Sequence, residues 1–174
     1  LFVAGHETTA NALSFGLYLL ASHPDVQQKV YHEVIEQGRA HSSADALIRN
    51  AVFTRSVMQE TMRLFPPAWI TDRENLSDEV MGKYRLRQNT LVGVSFYELH
   101  RNPAYWDDPD QFKPERFLQP LPEKAADAYF PFGAGPRMCI GMGFAMAEMV
   151  LVISALVHRY QITTTTEKAG FEPL

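Results

Sequence analysis

The chain contains one cysteine, and the residues around it are those of a reactive site. Cys139 lies in Pro131-Phe132-Gly133-Ala134-Gly135-Pro136-Arg137-Met138-Cys139-Ile140-Gly141, with another glycine at 143. Glycine has no Cβ, so such a backbone can turn sharply or lie against a flat ligand. The apolar run Met142 to Val157 follows directly and reads as a buried helix. Cys139 is therefore expected where a glycine-rich loop meets a helix N-terminus. Free N–H groups and the positive end of the helix dipole favour a thiolate there. A thiolate so placed is a metal ligand or a nucleophile. The alternative is a buried, inert cysteine; the glycine spacing and Arg137 favour the reactive reading.

Two other stretches carry chemistry. Ala4-Gly5-His6-Glu7-Thr8-Thr9 puts glycine and two threonines inside a helical run, where all three are poor helix formers. A threonine hydroxyl there can bond back to a carbonyl one turn earlier. Glu7 beside Thr8 pairs an acid with a hydroxyl; a plain polar patch is the competing reading. Glu60-Thr61-Met62-Arg63 places a carboxylate and a guanidinium three apart, on one helical face. Most such pairs are solvated and worth little.

Phe132, Gly135, Arg137, Cys139 and Gly141 resemble the haem-binding loop of the cytochromes P450, Phe-x-x-Gly-x-Arg-x-Cys-x-Gly, without departure. The resemblance implies that Cys139 is the axial thiolate of haem b, a ligand that favours O–O cleavage. Phe132, Gly133 and Gly141 would border it. Ala4-Gly5-His6-Glu7-Thr8-Thr9 is similar to the family's motif in the helix crossing the haem. Thr8 and Glu7 would then guide protons, while Ala4 and Gly5 leave room beside the iron. Glu60 and Arg63 match the family's Glu-x-x-Arg, whose partner is the arginine of Pro114-Glu115-Arg116-Phe117. The three would form a buried network pinning the loops behind the haem. Arg73 and Arg137 are propionate candidates, with ordinary surface arginines as the alternative. Ala68, Trp69 and Ile70 fall at the substrate-contacting position. His100-Arg101-Asn102-Pro103 through Phe117 resembles the family's meander, with His100 structural. Asp107 and Asp108 lack spaced partners for a metal.

These residues need helices and small sheets to position them. Leu1 to Ala21 reads as a helix already under way at the first residue. A second helix begins at Pro24, lines one face with Val26, Val30, Val34 and Ile35, and is expected to stop at Gly38. Residues 39–50 show no pattern. A helix over 51–65 ends at Pro66-Pro67. Short strands are expected at Trp69–Arg73, Lys83–Leu86 and Leu91–Val94, with turns at Gly82 and Gln88-Asn89. Gln161–Leu174 reads as a terminal hairpin turning at Gly170, and His23 and His32 as surface residues. The expected fold is mainly α with small β-sheets: the C-terminal part of a single P450 domain over 1–174, lacking its N-terminal half.

A net charge of −4 gives no reason to expect nucleic-acid binding. One cysteine excludes an internal disulfide. Residues 1–21 show neither a signal-peptide pattern nor an uninterrupted membrane span. Met142–Val157 is too short for one and holds Glu148. A cytoplasmic location is the expectation, and membrane anchoring stays open. The resemblance implies a monooxygenase acting with O2 on an apolar small molecule. Its electrons would come from NAD(P)H through a reductase or ferredoxin. Two rivals are a peroxide-using or isomerising haem-thiolate enzyme, which Glu7 and Thr8 disfavour, and a non-catalytic haem-binding or residual fragment.

Overall fold

The computed structural model describes residues 2–40 and 43–165. Helix α1 (Phe2–Ser22) is followed by α2 (Pro24–Ala40), with Pro24 at its first position and Asp25 in its first turn. Both residues suit a helix start, since proline has no N–H to leave unpaired and the dipole favours a carboxylate. Gly38 does not stop α2, which runs to Ala40. The glycine is exposed and keeps helical backbone, at a cost of about 1 kcal/mol relative to alanine. His23 is half-buried, not superficial. Its Nδ1 lies 2.8 Å from the Leu19 carbonyl, and its ring packs 5.0 Å from Phe112.

Residues 39–50, which show no pattern in sequence, contain helix α3 (Ala44–Asn50). Its signal is local: Ser43 is the N-cap, and its hydroxyl accepts the Ala46 N–H at 3.2 Å. Helix α4 (Val52–Leu64) starts at Ala51, which has no side chain to cap it. Glu33 of α2 does so from outside. Its two oxygens accept the N–H groups of Phe53 (2.6 Å) and Thr54 (2.8 Å), and the Thr54 hydroxyl at 2.7 Å. A carboxylate at that end also meets the positive pole of the helix.

Two antiparallel pairs follow. β1 (Ile70–Glu74) pairs with β4 (Leu91–Ser95), Ile70 facing Ser95 and Glu74 facing Leu91. Between them β2 (Glu79–Met81) pairs with β3 (Tyr84–Leu86). Strand β2 is not anticipated in sequence, and Lys83 belongs to the turn. That turn needs Gly82 at φ 59°, a left-handed conformation that glycine adopts without strain. Short helix α5 (Phe96–Leu99) leads into a long meander. It holds a 3₁₀ turn (Pro114–Phe117), α6 (Glu123–Ala126) and a second 3₁₀ turn (Gly135–Arg137) before α7 (Met142–Arg159). Residues 161–165 form no strand, and Gly170 lies outside the described residues.

The core lies between four helices. Ala12 and Leu20 of α1, Val26, Val30 and Val34 of α2, Val57, Met58 and Met62 of α4, and Met146, Met149, Ile153 and Val157 of α7 form one buried cluster. Each of the larger side chains contributes about 1.5–3 kcal/mol. Helices α1 and α4 meet closely because Gly16 is small. A Cβ there would lie 3.0 Å from Met58 Sδ. By length and composition α7 could cross a membrane, Glu148 notwithstanding. Its Met146–Val157 face is buried against α1, α2 and α4, however, while Phe144 near its start is 77% exposed.

Candidate functional site

The most extensive buried polar network starts on α4. Glu60 and Arg63 are fully buried and bind in a fork: Arg63 Nε to Glu60 Oε2 at 2.7 Å and Nη2 to Oε1 at 2.9 Å. The rest of the guanidinium reaches into the meander. Nη1 donates to the carbonyls of His100 and Pro109, both at 2.7 Å, and Nη2 to that of Gln111 at 3.2 Å. All five guanidinium donors are thereby used. Arg116 completes the set, with Nε 3.3 Å from Glu60 Oε1 and Nη2 donating to the Asp108 carbonyl at 2.7 Å. The Lys113 N–H also donates to Glu60 Oε1, at 2.9 Å. Trp106 lies flat under the cluster, its ring 5.1 Å from the Arg63 guanidinium carbon. The Tyr129 hydroxyl donates to the Gln59 carbonyl at 2.8 Å, and burial holds its phenol well above its ordinary range. Asp108 is bound by Lys113.

The Cys139 loop grows out of this meander. The Phe130 N–H donates to His100 Nε2 at 2.9 Å, and the Phe130 carbonyl accepts the Gly133 N–H at 3.0 Å. Gly133 and Gly135 have φ of 72° and 68°, so both turns need glycine. The chain then doubles back, and the Cys139 N–H donates to the Phe132 carbonyl at 2.9 Å. Phe132 itself is half-buried against the core cluster. The loop thus anchors its backbone inward and leaves the thiol exposed. A Cβ on Gly141, the residue before α7, would sit 3.8 Å from Cys139 Sγ.

A family model described as Cytochrome P450 matches residues 1–171. The chain belongs to the cytochrome P450 family. It is 38% identical over 159 residues to "Putative cytochrome P450 132" of Mycobacterium tuberculosis, covering 91% of this chain and 34% of that protein. It is 37% identical over 166 residues to human "Cytochrome P450 3A5", covering 94% and 33%. To rice "Cytochrome P450 714C3" it is 39% identical over 165 residues, covering 92% and 32%. The chain thus spans about a third of the length of these curated relatives.

The surface around Cys139 fits the haem of a P450. Flanking the exposed thiol in the chain are Met138 (51% exposed) and Ile140 (95% exposed), apolar side chains that a flat macrocycle would cover. Arg73 and Arg137 line one open cleft with Thr71 and Leu91. The same cleft holds Asp72 and Glu74, so its charge is mixed. Arg73 Nη1 donates to Thr71 Oγ1 (3.0 Å) and the Asp72 carbonyl (2.6 Å), which fixes the side chain along the strand edge.

On α1 the Thr8 hydroxyl donates to the Ala4 carbonyl at 2.7 Å, the back-bond expected of a threonine inside a helix. Its proton is thus engaged and its lone pairs face outward. Glu7, Thr8, Ala4 and Gly5 are all exposed, and a Cβ on Gly5 would meet nothing within 4 Å. Among the described residues no hydrogen bond or ion pair joins Glu7 or Thr8 to the Cys139 loop. Ala68, Trp69 and Ile70 are exposed at the start of β1, with the Trp69 carbonyl accepting the Phe96 N–H at 2.8 Å.

Sequence reasoning missed several supports. Glu33, Trp106, Tyr129 and the Lys113 N–H had no local signal, because their partners lie far along the chain. His100 was legible as a structural histidine, but its acceptor role toward Phe130, 30 residues on, was not.

Proposed function

We propose that the protein is a haem-thiolate monooxygenase. It inserts one oxygen atom of O2 into an apolar organic substrate, with NAD(P)H electrons delivered by a reductase or ferredoxin. The observation carrying this reading is the Cys139 loop. It is tied down by backbone bonds and two left-handed glycines, and presents the chain's only thiol outward, flanked in the chain by the exposed Met138 and Ile140.

When bound, the haem iron would supply dioxygen binding and reductive activation, with a thiolate ligand favouring O–O cleavage. The chain's own residues do the rest. Cys139 would ligate the iron through Sγ, with its backbone fixed by the Cys139 N–H bond to the Phe132 carbonyl. Phe132 and Gly133 border the loop, and Gly141 leaves space beside the sulfur. Arg73 and Arg137, which line one cleft, would hold the propionates. Ala4 and Gly5 keep the α1 surface low. Thr8, whose proton is held by Ala4, accepts a hydrogen bond at Oγ1, and Glu7 exchanges protons with solvent. Ala68, Trp69 and Ile70 offer apolar contact to substrate. The intact Glu7 and Thr8 pair favours this reaction over a peroxide-driven one, which needs no proton delivery to bound O2.

Carbon-monoxide difference spectra of the reduced, haem-loaded protein test the reading. A thiolate-type band is expected in the wild type and absent in Cys139→Ala. A thiolate-type band that survives in Cys139→Ala would overturn the ligand assignment.

A further inference from the structure

We infer that His100 is a positioning residue that ties the Cys139 loop to the buried Glu60–Arg63 pair, and that its protonation in acid releases the loop. His100 is hydrogen-bonded to both parts. Its carbonyl accepts from Arg63 Nη1 at 2.7 Å, and its ring nitrogen Nε2 accepts the Phe130 N–H at 2.9 Å. From Phe130 the path is short. The Phe130 carbonyl takes the Gly133 N–H, and the Phe132 carbonyl takes the Cys139 N–H. The side chain of His100 is fully buried, stacked on Phe96 at 6.1 Å and against Tyr129 at 5.4 Å.

Only one protonation state permits this contact. A backbone N–H can only donate, so Nε2 must carry a lone pair and the ring proton must sit on Nδ1. Nδ1 is buried and makes no hydrogen bond. A second proton on the ring would set N–H against N–H at Phe130 and place a cation in a site already rich in positive charge. Arg63 faces the ring from α4 and Arg101 from the next position in the chain. The carboxylates nearby are committed elsewhere. Glu60 is bound by Arg63 and Arg116, and Asp110 sits 3.6 Å from Arg101. Glu98 and Tyr97 on its own helix, and the Tyr129 phenol, make no hydrogen bond to the ring. Burial first, and the two guanidinium charges with it, push the imidazole down to about 4, against the partial opposition of the Met62 and Arg63 backbone.

The sign follows from where the protons go. The closed loop holds the imidazole neutral to about 4, whereas an opening that returns it to water relieves the burial and raises its affinity for protons toward the ordinary 6.5. Between those values the open form binds more protons, so falling pH favours opening. None of these contacts depends on the reaction proposed above, so the two stand or fall separately.

The test is amide hydrogen exchange at Phe130 in the full chain, corrected for intrinsic rates. Protection in the wild type is expected to fall about 30-fold between pH 8 and pH 5. His100→Gln places a non-titrating carbonyl where Nε2 lies. Its protection should change less than about threefold over the same range, since no proton is linked to opening. An equal fall in the glutamine variant, or none in the wild type, overturns the proposal. Should that variant not fold, ¹⁵N spectra of the wild-type imidazole decide instead. A ring protonated on Nδ1 and neutral well below pH 6 is expected. A proton on Nε2, or titration at 6.5 or above, overturns it.

Discussion

Glu60 and Arg63 expose nothing to solvent, and the five donors of the guanidinium all end on acceptors within the chain. Cys139, Ile140, Glu7 and Thr8 lie at the surface, and among the described residues the thiol has no hydrogen-bond partner. Both regions were identified by motifs of polar or reactive residues, yet they use them in opposite ways. Around Glu60, charge ties the meander carbonyls of His100, Pro109 and Gln111 to α4. Around Cys139, backbone bonds and glycine turns do the holding, and the side chains are left open for a partner. A reactive group must stay unsatisfied in the folded chain, whereas a buried charge cannot. Mutations in the first region should therefore cost stability, and mutations in the second should cost chemistry.

The largest effect is expected for Glu60→Ala. It strands a buried guanidinium, which typically costs about 3–5 kcal/mol, much of the 5–15 kcal/mol that stabilises a domain. Expression should yield little folded, haem-loaded protein. Normal haem content and melting with no turnover would instead make Glu60 catalytic and erase the contrast.

Acid comes next. With His100 held near 4 when folded and 6.5 when unfolded, its contribution is complete above pH 6.5 and is lost as pH falls toward 4. The loss is about 3 kcal/mol at the lower end. Denaturant melts across that window should show it, and a flat profile would remove His100 from the buried network.

Arg116→Ala should be milder. Arg116 retains 14% exposure, and its loss leaves Glu60 forked to Arg63 and bonded to the Lys113 N–H. A hydrogen bond to a charged group is worth about 1.5–3 kcal/mol. A melting shift as large as that of Glu60→Ala would show that the three charges act as one indivisible unit.

Thr8→Ala reverses the pattern. It removes an exposed back-bond and improves helix propensity, so stability should change by less than about 0.7 kcal/mol. Turnover should uncouple, with consumed NAD(P)H appearing as peroxide. Unchanged coupling across several substrates would take Thr8 out of proton delivery. Cys139→Ala should be smallest in stability, within about 0.5 kcal/mol for an exposed side chain in the haem-free chain. A large haem-free destabilisation would mean that the thiol, too, is a structural group.

The chain's local patterns determined helices α1, α2, α4 and α7 and the family, but not the short helices α3, α5 and α6. Apolar spacing along α2, α4 and α7, Pro24, Pro66 and the glycines at 133 and 135 act within a few residues, so the sequence displays them directly. The stop expected at Gly38 failed because a single exposed glycine weakens a helix without ending it. Strand β2 was unreadable because three exposed residues have no period to show. What the tertiary structure alone decided is which groups are satisfied by distant partners. Glu33 caps a helix 20 residues away, His100 receives an N–H from 30 residues on, and the Gln27 amide donates to the Ile162 carbonyl across 135 residues. Such bonds depend on the convergence of separated segments, and convergence is set by the packing of the whole core. Residue type revealed that Glu60 and Arg63 could pair. Only the folded chain shows that burial, and the carbonyls of His100, Pro109 and Gln111, turn a commonplace helical ion pair into the anchor of the meander.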